Sequence, residues 1–136
     1  RQSQKRLWLN ISELNKKRIF IIGNGGSYAN AMHICNDLLS KGVKASTMDP
    51  ATLTAFANDY GYVNAFSRWI SVVGEKGDLL ICLSGSGKSK NILNAIETAE
   101  YKEMEVFKLF GTKDQNMQQA EEYQLVWGHE LWKSLS

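Results

Sequence analysis

The chain has 136 residues, 43% of them hydrophobic and 22% charged, with a formal net charge of +2. That length suffices for one compact domain spanning residues 1–136 that buries roughly two-thirds of its unfolded surface. The near-neutral balance excludes the basic signature of a nucleic-acid binder or a polybasic membrane binder, and no apolar run reaches the length of a spanning helix.

No secretory signal is visible, and the chain opens on Arg1 rather than Met, so residues upstream are expected. Residues 1–15 read as a helix with Leu7, Ile11 and Leu14 on one face. The basic pairs around Lys5-Arg6 and Lys16-Lys17-Arg18 read as solvated helix ends. Arg18 to Ile22 is a short β-branched run and predicts a buried strand, followed by Gly23-Asn24-Gly25-Gly26-Ser27 and a helix from Tyr28 to Ser40. Gly42 stops that helix, and Val43 to Met48 predicts a second strand. Asp49-Pro50 opens a helix over Thr52 to Asn58, with a polar interruption at 58–61. Asn64 to Val73 is amphipathic, carrying Phe66, Trp69, Ile70 and Val73.

Leu79 to Leu83 predicts a buried strand and Asn91 to Lys102 the helix after it. Glu105 to Phe110 predicts a fourth strand. Met117 to Glu122 reads as a short helix, Tyr123 to Trp127 as a fifth strand, and Gly128 to Ser136 as a last short helix. Strand–helix alternation on this rhythm predicts a three-layer α/β/α sandwich around a five-stranded parallel sheet with right-handed crossovers. Cys35 and Cys82 fall at core positions, as small buried hydrophobes in a reducing, cytoplasmic setting. Trp127 and Trp132 read as exposed and, with the amphipathic N-terminal segment, suggest a partner surface.

Two loops carry the chemistry. Ser84-Gly85-Ser86-Gly87-Lys88-Ser89 joins a strand to a helix. The first N–H groups of a helix are unpaired, the dipole is positive there, and glycines let a ligand approach the main chain. Three serines add hydroxyl donors, so the loop reads as a cup for one phosphate. A nucleotide P-loop is excluded, because it needs a glycine where Cys82 stands inside the strand. The upstream Gly-rich loop is no dinucleotide fingerprint either, since its last glycine position is Tyr28. No nucleotide cofactor is therefore expected. Both loops follow parallel strands and should share the carboxyl edge of the sheet.

Taken together, Gly23-Asn24-Gly25-Gly26-Ser27 with Ala31-Met32-His33, then Ala57-Asn58-Asp59-Tyr60-Gly61, Phe66-Ser67-Arg68-Trp69 and Ser84-Gly85-Ser86-Gly87-Lys88-Ser89 resemble the sugar isomerase (SIS) domain. Within that superfamily the pattern is most similar to the phosphoheptose isomerases, which interconvert sedoheptulose 7-phosphate and a heptose 7-phosphate. The resemblance covers about residues 18–127. It implies that Ser84, Gly85, Ser86 and Ser89 hold the phosphate, that Asn24, Gly25, Gly26 and Ser27 serve the sugar hydroxyls and the rest of the phosphate network, and that Asn58 and Asp59 line the cleft. It also implies a homo-oligomer, a tetramer or dimer with sites shared between subunits.

Aldose–ketose isomerisation moves a proton between adjacent carbons and needs a base near a C–H and an acid or metal at the carbonyl oxygen. The resemblance places His33 and Asp37 where the family carries a His and a Glu four residues apart, a pair able to ligate zinc, with Asp37 or Asp59 as candidate base. Asp37 is one methylene shorter than Glu. The family also draws a Gln and a His from its last helix. His129 stands near one of those positions, with no Gln ahead of it in the predicted last helix. The resemblance thus implies an isomerase serving cell-envelope heptose synthesis. The alternative is a SIS module that binds a phosphosugar or docks a protein without turnover, as in the replication-initiator-associating relatives.

Overall fold

Apolar runs in the sequence become the strands of one parallel sheet. The structure, a computed structural model, describes residues 11–135. Among these, β1 (Arg18–Gly23), β2 (Lys44–Thr47), β3 (Leu79–Ser84) and β4 (Glu105–Phe110) lie in the order β2–β1–β3–β4, every neighbour parallel. Gly23 pairs with Leu83, so the loops after β1 and β3 leave the sheet side by side. The chain runs from β1 outward to β2, then crosses back past β1 to β3. The crevice of such a sheet opens at that reversal, outside the carboxyl ends of the strands.

Among the described residues, six helices accompany the sheet: α1 (Ile11–Leu14), α2 (Gly26–Ser40), α3 (Pro50–Tyr60), α4 (Tyr62–Val73), α5 (Lys90–Tyr101) and α6 (Met117–Ser134). Successive strand residues point to opposite faces, and the core divides accordingly. Ile19, Ile21, Leu79, Ile81 and Leu83 meet Ala31, Ile34 and Leu38 of α2 and Trp127 and Leu131 of α6. Phe20, Ile22, Leu80 and Cys82 meet Leu53 of α3, Phe66 and Ile70 of α4, and Ile92 and Ile96 of α5. This is the expected three-layer α/β/α arrangement.

The fifth strand expected over Tyr123 to Trp127 does not form. Residues 123–127 lie inside α6, which runs 18 residues without a break. Its start is fixed by a capping box: Gln119 N–H donates to the Asn116 side chain (2.8 Å) and Asn116 N–H donates to Gln119 Oε1 (2.9 Å). Its buried residues are Ala120, Gln124, Trp127, Gly128 and Leu131, a helical spacing. The β-forming run Tyr123 to Trp127 loses to that tertiary pattern. Trp127 is accordingly core, 3% exposed and stacked on Phe107 at 5.3 Å between ring centroids. Trp132 is exposed, as expected, and its indole N–H donates to Ser40 Oγ (3.0 Å).

Asn58 and Asp59 do not interrupt a helix. They continue α3 to Tyr60, and Gly61 at φ 86° makes the turn into α4. The front of α3 follows its sequence signal, with Asp49 as cap for Thr52 N–H (3.2 Å) and Pro50 in the first turn. Of the helix expected over residues 1–15, Ile11–Leu14 is helical, Asn15 lies in the turn that follows, and residues 1–10 lie outside the described residues. No helix among the described residues is long and apolar enough to cross a membrane.

Candidate active site

The two loops form one open cleft of about 220 Å³ at the carboxyl edge of β1 and β3. Asn24, Gly25, Gly26 and Ser27 line one wall and Ser84, Gly85, Ser86 and Ser89 the other, with Met117 and Glu121 of α6 leaning over it. The eight loop residues named above as candidate binders, Asn24 to Ser27 with Ser84, Gly85, Ser86 and Ser89, therefore meet in one place.

The serine loop braces itself and still offers donors. Ser84, 4% exposed, accepts from Gly87 N–H (2.9 Å), and Ser86 accepts from Lys88 N–H (3.0 Å). A hydroxyl that accepts one bond keeps its own O–H to donate. Gly87 sits at φ 67°, which the tight loop requires. Ser89 is the N-cap residue of α5, yet its side chain makes no capping bond. Ser89 itself lines the cleft, at the start of a helix, where an anion is favoured.

The Gly-rich loop is tied to the serine loop from beneath. Asn24 Nδ2 donates to Asn91 Oδ1 (2.9 Å), and Asn91 Nδ2 donates back to Asn24 Oδ1 (2.8 Å). The Tyr62 hydroxyl also donates to Asn24 Oδ1 (2.5 Å), and Ile92 N–H donates to Asn91 Oδ1 (2.9 Å). Much of the Asn24 amide is therefore engaged in fastening β1's loop to the start of α5. Ser27 is buried too, and its Oγ accepts from Gln124 Nε2 (3.1 Å). Gln124 Oε1 in turn accepts from Asn30 Nδ2 (2.9 Å), locking α6 against α2. Sequence reasoning missed Asn91, Gln124 and Glu121; for the last two, the helical spacing of α6 was the available signal.

A second cluster lies further along the α2–α6 seam. His33 Nε2 is 3.2 Å from His129 Nε2 and 3.3 Å from Asp37 Oδ2, and one ligand atom from each residue lies within 4.8 Å of the others. A tetrahedral ion bound at about 2.0–2.1 Å spaces its ligands roughly 3.3 Å apart. Two imidazoles and a carboxylate are a suitable donor set for a divalent ion, so these residues fit a metal. Within one chain neither His33 nor Asp37 lines the cleft. Asn58 and Asp59 are placed apart as well, exposed at the end of α3, with Asn58 Nδ2 donating to Asp59 Oδ1 (3.3 Å). Burial pushes the Cys35 and Cys82 thiols above their ordinary range, so both stay protonated and neither is a ready nucleophile or ligand.

A parallel α/β sheet whose two Gly/Ser loops make one cleft at its carboxyl edge defines an α/β protein with an anion-ready site. The SIS domain family model matches residues 9–111, and the chain belongs to that family. The phosphoheptose isomerase of Glaesserella parasuis serovar 5 is 41% identical over 71% of this chain and 54% of its own length. The chain spans about half the length of the curated relatives it matches first. Among solved structures, a phosphoheptose isomerase from Francisella tularensis superposes with TM-score 0.89 at 26% identity, covering 98% of this chain and 85% of that one. The phosphoheptose isomerase GmhA of Neisseria gonorrhoeae gives 0.87 at 26% identity, covering 97% and 83%.

Proposed function

We propose that this chain carries the site of a sugar-phosphate aldose–ketose isomerase acting on sedoheptulose 7-phosphate, with D-glycero-D-manno-heptose 7-phosphate as product. The observation that carries the reading is the shared cleft, where Ser84, Ser86 and Ser89, the last at the start of α5, line one wall and the Gly-rich loop at the start of α2 the other. The relatives named phosphoheptose isomerase support the same substrate class.

In this reading Ser84, Ser86 and Ser89 hold the phosphate, and the Asn24–Asn91 pair fixes the opposite wall where the sugar chain lies. The phosphate would bind against hydroxyls that the loop's own hydrogen bonds hold in place, at the start of a helix. Its binding energy then orients the reacting carbons. His33, Asp37 and His129 would hold a divalent ion such as zinc, which supplies polarisation of a carbonyl oxygen when bound. Exposed Met32, Leu39, Val126 and Trp132 occur on α2 and α6, the helices that carry this cluster. They support a homo-oligomer, dimer or tetramer, in which one copy's cluster serves another's cleft. The reading also takes residues 1–136 as one SIS domain and places the protein in the cytoplasm, where phosphorylated sugars are made.

A second reading, a phosphosugar-binding or protein-docking module without turnover, is favoured by one observation. Neither Asp37 nor Asp59 lines the cleft of its own chain. One experiment separates the two. The full-length chain is incubated with sedoheptulose 7-phosphate, with zinc or with chelator, and the aldose product is followed by NMR. The isomerase reading expects product with zinc and its loss on chelation. Saturable binding of the sugar without product would establish the binding module instead.

A further inference from the structure

We propose that the groove between α4 and α5 is a second small-molecule site, suited to a phosphorylated polyol that lays its phosphate on Arg68. The groove is separate from the cleft: no residue that lines one lines the other.

The groove follows from how α4 is patterned. Asn64, Ser67, Arg68 and Ser71 recur at helical spacing and so share one face of α4, while Phe66, Trp69 and Ile70 of the same helix are buried in the core. The seam between α4 and α5 is bridged at both ends. Asn94 Nδ2 donates to the Val63 carbonyl (3.1 Å) at one end, and Lys102 Nζ donates to the Ser71 carbonyl (2.7 Å) at the other. Between these bridges the seam opens into a groove of about 370 Å³, against about 220 Å³ for the cleft. The polar face of α4 lines it, with Tyr60 of α3 and Thr98 of α5.

Arg68 marks the place of an anion. Its guanidinium lies over the Tyr60 ring, 5.1 Å from the ring centroid, a contact that orders the planar fork. Among the described residues, no carboxylate, carbonyl or hydroxyl accepts from that fork. No Asp or Glu lines the groove. A guanidinium stays charged at any physiological pH, and its parallel N–H groups match phosphate oxygens two at a time.

The neighbouring side chains mark the place of hydroxyls. Ser67 Oγ donates to the Asn64 carbonyl (3.0 Å) and Ser71 Oγ to the Arg68 carbonyl (2.6 Å). Asn64 Nδ2 donates to the Tyr60 carbonyl (3.0 Å). The two hydroxyl protons are thus spent on main chain, and what faces outward is acceptor oxygen. Such oxygens welcome O–H groups and repel the oxygens of a bare anion. A lining that pairs an unbonded guanidinium with three such acceptors fits a molecule carrying both a phosphate and several hydroxyls. Inorganic phosphate meets only the first half of it. The Thr98 hydroxyl, without a hydrogen bond among the described residues, faces the same ligand from α5.

Glucose 6-phosphate is the probe, with inorganic phosphate and glucose titrated beside it. Each is added to the full 136-residue chain, and amide shifts are followed by 1H–15N NMR, which reads groove and cleft separately. The expected result is saturable shifts at Ser67, Ser71 and Thr98 with glucose 6-phosphate, and binding there at least about tenfold weaker for inorganic phosphate or glucose. Arg68→Gln should weaken binding in the groove by about tenfold or more and leave the shifts of residues 84–89 as they were. Arg68→Lys, which keeps the charge and loses the fork, should fall between. Arg68 is exposed, and an otherwise unchanged amide spectrum shows that each variant keeps the fold. Groove shifts that fail to saturate, or that persist with the same affinity in Arg68→Gln, would overturn the proposal. Equal affinity for inorganic phosphate would overturn it too, since the acceptors of α4 would then have no part in binding.

Discussion

Ser84 shows how one side chain can be both structure and ligand. Its Oγ accepts Gly87 N–H, which shapes the loop, and its O–H remains to donate toward the cleft. Ser84→Ala removes both. The expected loss of sugar-phosphate affinity is roughly 1–3 kcal/mol, about 5- to 150-fold in Kd, for a hydrogen bond to a charged group. Calorimetry on the folded variant checks it, and unchanged affinity would take Ser84 out of the site. At this scale the cup was legible, because an anion loop is built from consecutive residues. Its two partners were less so. Asn91 reaches Asn24 from 67 positions away, and nothing local marks an asparagine at a helix start as a clamp. Glu121 depends on which way a distant helix is turned.

α6 is where sequence and structure part. Tyr123, Val126 and Trp127 favour a strand in isolation, and Gly128 looks like a break. Counting apolar spacing across 120–131 instead gives a helical face. Gly128 is then explained by contact: a Cβ there would lie 2.7 Å from Ile34 Cγ1, so the glycine lets α6 approach α2. Reading a strand over Tyr123 to Trp127 split the helix and separated Glu121 and Gln124 from His129. The four strands of the sheet were easier, because each is a short apolar run bounded by turn residues. The contact predicts that Gly128→Val destabilises the protein by about 1–3 kcal/mol through overpacking. Urea unfolding measures it. Ile34→Ala in the same chain should relieve part of that cost, so the double variant should be more stable than the sum of the single effects implies. Strict additivity would mean that the two side chains do not compete for the same space.

At the scale of the whole molecule, topology brings the β1 and β3 loops to one reversal point, and the α2–α6 seam carries polar groups away from it. Along that seam lie Glu121 with Gly26, then Ser27, Gln124 and Asn30, and then His33, Asp37 and His129. The last three come from both helices, so an ion bound there would cross-link α2 to α6. Such an ion binds the folded chain and has no preformed site in the unfolded one. It therefore stabilises by linkage, by about 2.7 kcal/mol at a hundredfold excess over Kd. For a domain of this size that corresponds to a rise of roughly 10 °C in Tm. The measurement is a thermal melt of the full-length chain with zinc and with chelator, beside His129→Ala, which removes one donor from α6. Zinc should raise the wild-type midpoint and leave that of His129→Ala nearly still. The readout is independent of turnover, so it tests the donor set even if no sugar is converted. Equal wild-type midpoints in zinc and chelator would show that two imidazoles held 3.2 Å apart do not form a metal site in this fold.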